Sequence, residues 1–315
     1  MGTTLVTGVG LVGTSFAQCA LARDEKLVFY DFMPRTEYLH RKLGTADVEV
    51  VQKDIRDLPA LTEAMLRFRP ETVVHTAGLI GGRVVESLYN GLQINVMGTI
   101  NVLEAARLTG VKRFVLISTF GAYDRRRAGD RPTHEDMPRG PGAGYGNSKA
   151  TKELMAEAYQ RLYGFELLTL RLANAYGLGH FWGGSGGGEK VQMLLEAGIR
   201  GEVARIPQAQ TMTFEYVYAK DMGRAVDLAT TVPMPEKTTF NIGSGQLTTF
   251  DELVGTVERQ FPKLEVEVIP GRPPDVSAST PLDISRAKQY LGWEPRYTMD
   301  AAFEDYVKDL RAVME

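Results

Sequence analysis

Thr4-Leu-Val-Thr-Gly8-Val-Gly10-Leu-Val-Gly13 is the stretch whose reading decides the fold. A short apolar run of β-forming residues leads directly into G-x-G-x-x-G, and the following stretch, with Phe16, Cys19 and Ala20, has helical character. Glycine is required where the backbone turns sharply and where a Cβ would block a pyrophosphate. The helix N-terminus adds free amides and partial positive charge. Gly8, Gly10, Leu11, Val12 and Gly13 are therefore expected to cradle the phosphates of a dinucleotide. A second apolar run, Leu27-Val-Phe-Tyr-Asp31, ends in a carboxylate 18 residues after Gly13. An acid there accepts from both ribose hydroxyls and repels a 2′-phosphate, so NAD is expected over NADP, with the nearby Arg35 softening the preference.

Working outward, further β-rich runs occur at Val48–Val51, Thr72–His75, Arg113–Ser118 and Glu166–Arg171, each separated from the next by helical patterning. Leu88, Leu92, Val96, Ile100, Leu103 and Ala106 predict one helix over Val84–Thr109, and another is expected over Tyr145–Leu162. The alternation implies an α/β fold, a Rossmann-type doubly wound parallel sheet. A chain of 315 residues is long enough for about two units. A dinucleotide-binding domain is expected over residues 1–175, with the chain returning to it around 214–243, and a smaller, mainly substrate-binding domain over 176–315. The run Gly177-Leu-Gly-His-Phe-Trp-Gly-Gly-Ser-Gly-Gly-Gly188 is too glycine-rich for a regular element and is read as a mobile loop. A linker and a substrate lid are the two readings, the lid favoured by the cost of exposing His180, Phe181 and Trp182.

Composition narrows the partners. Hydrophobic residues make up 43% and charged residues 24%, which excludes disorder and fibrous architectures. A net charge of −3 gives no general field for a polyanion, so nucleic acid is not expected. Cys19 is the sole cysteine, so no internal disulfide or CxxC site exists and a reducing, cytoplasmic setting is expected. Gly2–Ala22 lacks charge, but glycines interrupt it where a membrane or signal segment is continuous, so no membrane partner is expected. His40, His75, His134 and His180 are scattered without ligand spacing, so no metal is expected.

Tyr145-Gly-Asn-Ser-Lys149 opens the helix that precedes Glu166, and a four-residue step sets phenol and ammonium on one face. A tyrosine near pKa 10 is a poor base at neutral pH, and an adjacent ammonium together with an oxidised nicotinamide favours the phenolate. Taken with Asp54-Ile55-Arg-Asp57, His75-Thr-Ala77-Gly78, Asn95-Val-Met-Gly-Thr-Ile-Asn101 and Ile117-Ser118-Thr119-Phe-Gly-Ala-Tyr123, the chain resembles the extended short-chain dehydrogenase/reductases, the NAD-dependent epimerase/dehydratase family. Arg171-Leu-Ala-Asn174, Asn241-Ile-Gly-Ser-Gly245, Arg272-Pro-Pro-Asp275 and Asp283 to Pro295 extend the resemblance over nearly the whole length. It implies that Asp54, Ile55 and Ala77 line the cofactor. It further implies that Tyr145 removes a proton from a secondary hydroxyl while Thr119 bonds the same oxygen, and that Lys149 tunes the phenol and holds the nicotinamide ribose. Thr119, Asn174 and Arg272 are the implied substrate contacts, and a homodimer built through a pair of helices is the implied assembly.

Departures from the family pattern bear on the substrate. Only Val9 separates the first two glycines, one residue fewer than the family's usual loop, and Phe120-Gly121 follows Thr119 where dehydratases carry Asp-Glu. Met212 and Thr213 occupy the neighbourhood where nucleotide-sugar members place a diphosphate-clamping arginine. Arg125, Arg126, Arg127 and Arg131 are read as a solvated run, the rival reading being one arginine turned toward an acidic substrate. A small-molecule, sugar-like substrate is expected, most readily for a nucleotide-sugar epimerase. A dehydrogenase of a sugar acid, polyol or hydroxy acid is the second reading and a non-catalytic NAD sensor the third.

Overall fold

The computed structural model describes residues 2–44, 48–124, 127, 129–140, 142–180, 185–274, 278 and 280–314. Its first half alternates β1 (Thr3–Thr7), α1 (Leu11–Leu21), β2 (Lys26–Asp31), α2 (Thr36–Leu43), β3 (Glu49–Gln52), α3 (Leu58–Phe68) and β4 (Thr72–His75). Then come α4 (Gly82–Glu86), α5 (Leu88–Leu92), a π-helical turn at Gln93–Met97, α6 (Gly98–Thr109), β5 (Arg113–Thr119), α7 (Gly144–Tyr163) and β6 (Glu166–Leu172). The second half holds β7 (Asn174–Tyr176), α8 (Gly186–Arg200), β8 (Ala204–Pro207), β9 (Tyr216–Tyr218), α9 (Ala219–Thr231) and β10 (Thr239–Ile242). It ends with α10 (Phe250–Gln260), β11 (Val266–Ile269), α11 (Ser285–Leu291) and α12 (Met299–Met314).

Seven parallel strands form the main sheet in the order β10-β6-β5-β4-β1-β2-β3. Helices cover both faces, which is why β5, Arg113-Phe-Val-Leu-Ile-Ser-Thr119, is buried at every position. Strand order reverses between β1 and β4, and the crevice beyond their C-terminal ends is the place where such sheets receive ligands. Two smaller parallel pairs, β7 with β9 and β8 with β11, lie beside the sheet. Chain return is direct: β10 pairs with β6, and α9 packs on α1 where a Cβ on Gly223 would overlap the Ser15 carbonyl.

Two expectations are corrected. The helix over Val84–Thr109 is not continuous: Ser87, at φ −147° and ψ 87°, breaks it, and the π turn at Gln93–Met97 interrupts the remainder. Periodicity alone missed the break because Leu88 and Leu92, which fit the period, are exposed and do not face the core. The glycine run is also not loop throughout, since Gly186–Gly188 form the first turn of α8, with the Ser185 hydroxyl accepting from the Gly188 amide. Close packing explains those glycines. A Cβ on Gly188 would overlap the Ala175 carbonyl and reach 2.6 Å from the His180 ring. Phe181 and Trp182, on which the lid reading leaned, lie outside the described residues, as do Arg125, Arg126 and Asp275.

Candidate functional site

The glycine loop joins β1 to α1 at the switch point. Gly8 has φ +95°, a conformation glycine adopts freely, and a Cβ there would sit 2.6 Å from Thr76 Oγ1 at the end of β4. Thr76 Oγ1 donates to the Thr7 carbonyl at 2.6 Å and the Ala77 amide donates to Thr7 Oγ1 at 3.3 Å, so the two strand ends are fastened together. A Cβ on Gly10 would meet nothing within 4 Å, and α1 begins there with no side-chain cap and no acid in its first turn. Such an end has amides and partial positive charge to offer a phosphate, so the residues fit a dinucleotide. Asp31 reaches the same loop: its carboxylate accepts from the Val9 amide at 2.6 Å and from the Met33 amide at 2.7 Å. Past β3, Asp54 is bound by Arg56 at 2.5 Å, which holds its carboxyl below the usual range, and Ile55 packs against Gly98.

Thr119 ends β5, and Tyr145 and Lys149 lie on the first turns of α7, which packs against it. A Cβ on Gly146 would overlap the Gly121 carbonyl, so glycine at that position lets the helix start approach the turn after Thr119. The Thr119 side chain stands beside the Tyr145 phenol, close enough to act on its ionisation. Burial pushes that phenol up to about 12, with the neighbouring Thr119 hydroxyl opposing. Lys149 Nζ donates to the Ile117 carbonyl at 3.3 Å and stands 5.6 Å from the centre of the Tyr145 ring, and burial lowers it to about 8.

Asn95, in the π turn, pins the helix start. Its Nδ2 donates to Ser148 Oγ at 3.1 Å and to the Leu79 carbonyl at 3.0 Å, and Oδ1 accepts from the Leu79 amide at 2.7 Å. His75 is fully buried between Thr7 and Thr99, at 2.7 and 2.9 Å, and burial holds it well below the usual imidazole range, so it is a neutral structural residue.

Sequence reasoning missed the layer behind this pair. Glu153, one turn beyond Lys149, accepts from Ser118 Oγ, from Arg171 at 2.7 and 3.1 Å and from Arg139 at 3.4 Å. Arg171 lies 4.5 Å over the Tyr123 ring, and the Tyr123 hydroxyl donates to Asn241 Oδ1 at 2.6 Å. Only the eight-residue spacing from Tyr145 to Glu153 signalled that acid in advance.

In the second half, Asn174 is buried and its amide donates to the Glu215 carbonyl at 3.1 Å, against the Gly187 turn of α8. Lys190 is fully buried: Nζ donates to the Gln210 and Met212 carbonyls at 2.8 and 3.2 Å, with the Phe214, Tyr216 and Phe250 rings within 5.9 Å. A cation therefore does occupy the neighbourhood of Met212 and Thr213, though no arginine does. Arg272 is exposed after β11, away from the Thr119 strand end in sequence and tied to the β8–β9 segment through Gly271, whose amide donates to Gln208 Oε1 at 3.0 Å. Arg127 and Arg131 are exposed, Arg127 beside Asp124 at 3.6 Å. On the cofactor side, the Tyr38 hydroxyl bonds Thr14 on α1 at 2.7 Å and the Leu178 carbonyl at 3.0 Å. No group of histidine, cysteine and acids suited to a metal occurs among the described residues, and no described helix is long and apolar enough to cross a membrane.

A doubly wound parallel sheet with a glycine cradle at its switch point defines the dinucleotide-binding class. Residues 4–243 match the model of the NAD dependent epimerase/dehydratase family. The UDP-glucose 4-epimerase of Mycolicibacterium smegmatis is 33% identical over 305 residues, covering 94% of each chain. A UDP-glucose 4-epimerase from Thermotoga maritima, solved with UDP-glucose, superposes with TM-score 0.88 at 26% identity over 99% of this chain and 100% of that one. The Thermus thermophilus UDP-glucose 4-epimerase, solved with NAD, gives 0.83 at 26% identity over 98% and 99%. The chain belongs to the NAD-dependent epimerase/dehydratase family and is an NAD-dependent enzyme.

Proposed function

We propose that this enzyme is a nucleotide-sugar epimerase that retains its NAD while inverting a secondary alcohol. The observation that carries the reading is the placement of Thr119 beside the Tyr145 phenol, with Lys149 over its ring, at the edge of a sheet whose glycine cradle fits a dinucleotide. Its relatives named as UDP-glucose 4-epimerases support it. When bound, NAD supplies a redox ring that accepts and returns the electrons of the carbinol carbon. Tyr145 takes the hydroxyl proton, Thr119 steadies the oxygen as charge develops, and Lys149 supplies the positive charge that offsets the burial cost of a phenolate. The cradle at Gly8, Gly10, Leu11, Val12 and Gly13 holds phosphates, Asp31 the adenosine ribose, and Asp54, Ile55 and Ala77 the adenine and nicotinamide surroundings. Asn174 and Arg272 are carried as substrate contacts.

A dehydrogenase of a sugar acid, polyol or hydroxy acid is the second reading, favoured by Met212 and Thr213 and by a Lys190 already engaged with two carbonyls. Interconversion of UDP-glucose and UDP-galactose without net NADH absorbance, by protein purified with NAD attached, supports the epimerase. Net NADH on uronic acids or polyols supports the dehydrogenase and refutes the first reading. Under either, Tyr145→Phe should lower kcat by about 10²- to 10⁴-fold with NAD binding retained, and unchanged turnover removes the mechanism.

The assembly is proposed as a homodimer in the cytoplasm. On α4, α5 and α7, Val85, Leu88, Tyr89 and Leu154 are exposed apolar residues that a second copy would cover. Light scattering showing a monomer at micromolar concentration would refute the dimer.

A further inference from the structure

We infer that Glu153 is a positioning residue for the Tyr145–Lys149 pair: its carboxylate is the counter-charge that keeps Lys149 protonated, and its bond to Ser118 fixes the strand end that carries Thr119. Glu153 lies four residues beyond Lys149 on α7, so the two share a face, and both are buried, at 1% and 4% exposure. A buried ammonium is costly without an opposite charge, and Lys149 has one carbonyl partner, that of Ile117.

Among the described residues, the charged and titratable groups around Lys149 leave Glu153 as its source of negative charge. Tyr145 is neutral and Lys152 is a second, fully buried amine on the same helix, whose Nζ has no hydrogen-bond partner. From β4 comes His75, held neutral between two threonines. From β6 comes Arg171, and from the segment after β5 comes Arg139, both bonded to Glu153 itself. Burial, with Lys149 adding to it, holds Lys152 well below the usual lysine range, and Glu153 opposes the burial of both amines. Arg139 draws part of that negative field away, toward a site that also holds Glu157 at 2.6 Å.

The same carboxylate has a mechanical role. Ser118 precedes Thr119, and its hydroxyl is bound to Glu153, so α7 and the end of β5 are joined by one side chain directly behind the catalytic hydroxyls. This inference rests on the reading that charged Lys149 assists Tyr145.

Two substitutions with opposite expected signs test it. Removing the negative charge with Glu153→Gln lowers the alkaline limb of kcat/KM by about one pH unit, and Glu153→Asp restores part of the shift. Removing a competing cation at the partly exposed Arg139, with Arg139→Gln, raises the limb by about half a unit. Titration of ¹³Cε-labelled lysines by NMR reads Lys149 directly and needs no turnover, so a failure of the Tyr145 mechanism, seen as an active Tyr145→Phe protein, is separable from a failure here. A folded Glu153→Gln protein whose Lys149 titrates unchanged overturns the assignment. So does an Arg139→Gln protein whose Lys149 moves to lower pH or stays put, which decides the matter even if Glu153→Gln does not fold.

Discussion

Asp31 stands at the junction of two jobs, since it accepts from the Val9 and Met33 amides and also closes the strand that faces the glycine loop. Hydrogen bonds to a charged acceptor contribute roughly 1.5–3 kcal/mol each, so losing the ribose bonds proposed for this acid has a measurable cost. Asp31→Ala is expected to weaken NAD by about 10- to 100-fold and NADP by much less, measured as two dissociation constants by titration calorimetry. Equal losses would mean that the acid only shapes the loop. Legibility at this scale followed range along the chain. Gly8 to Gly13, Asp31 and the Tyr145–Lys149 step stood out as candidates because each is a local spacing with its own chemistry. Glu153, Lys152 and Lys190 did not, because a charged side chain in a sequence looks solvated until tertiary packing buries it.

Short strands and the helix that carries Tyr145 and Lys149 were legible at the element scale, the strands because a parallel strand covered on both faces is a bounded apolar run. The break at Ser87 and the helical Gly186–Gly188 turn were not, the first because exposed leucines kept the period, the second because glycine's usual meaning is a loop. Glycine here is a spacer for close approach of α8 to β7. Gly188→Ala would gain at most about 1 kcal/mol of helix propensity, against an overlap with the Ala175 carbonyl that costs roughly 1–3 kcal/mol or more, so the melting temperature should fall. Gly186, whose Cβ would meet nothing within 4 Å, is the control, and Gly186→Ala should hold or raise it. Thermal unfolding of both proteins checks the pair, and a stabilised Gly188→Ala protein would mean that α8 does not pack as described.

The molecule as a whole carries a pH dependence through Glu215, which is buried and accepts from the Gly245 and Leu282 amides at 2.8 and 2.6 Å, bracing three chain segments. Burial raises it to about 7 from the ordinary 4.5, with those backbone bonds opposing. The folded state therefore holds the proton more tightly, so the stabilisation is complete below about 4.5 and is lost as pH rises through about 7, a difference of roughly 3 kcal/mol. Calorimetry at pH 5 and pH 7.5 should find the lower melting temperature at pH 7.5 and a flatter profile for Glu215→Gln; no difference between the two profiles would remove Glu215 as the cause. The order of the main sheet was only partly legible, since alternation predicts parallel strands but β10 is a four-residue run that takes its place by pairing with β6. That late arrival has a consequence for biosynthesis. As the ribosome releases Leu172, the hydrogen-bonding flank of β6 has no neighbour on its outer side, and none emerges until residues 239–242 follow. A polypeptide stopped at residue 175 should accordingly pellet when expressed alone, its naked border recruiting other chains, while one carried through Ile242 should not.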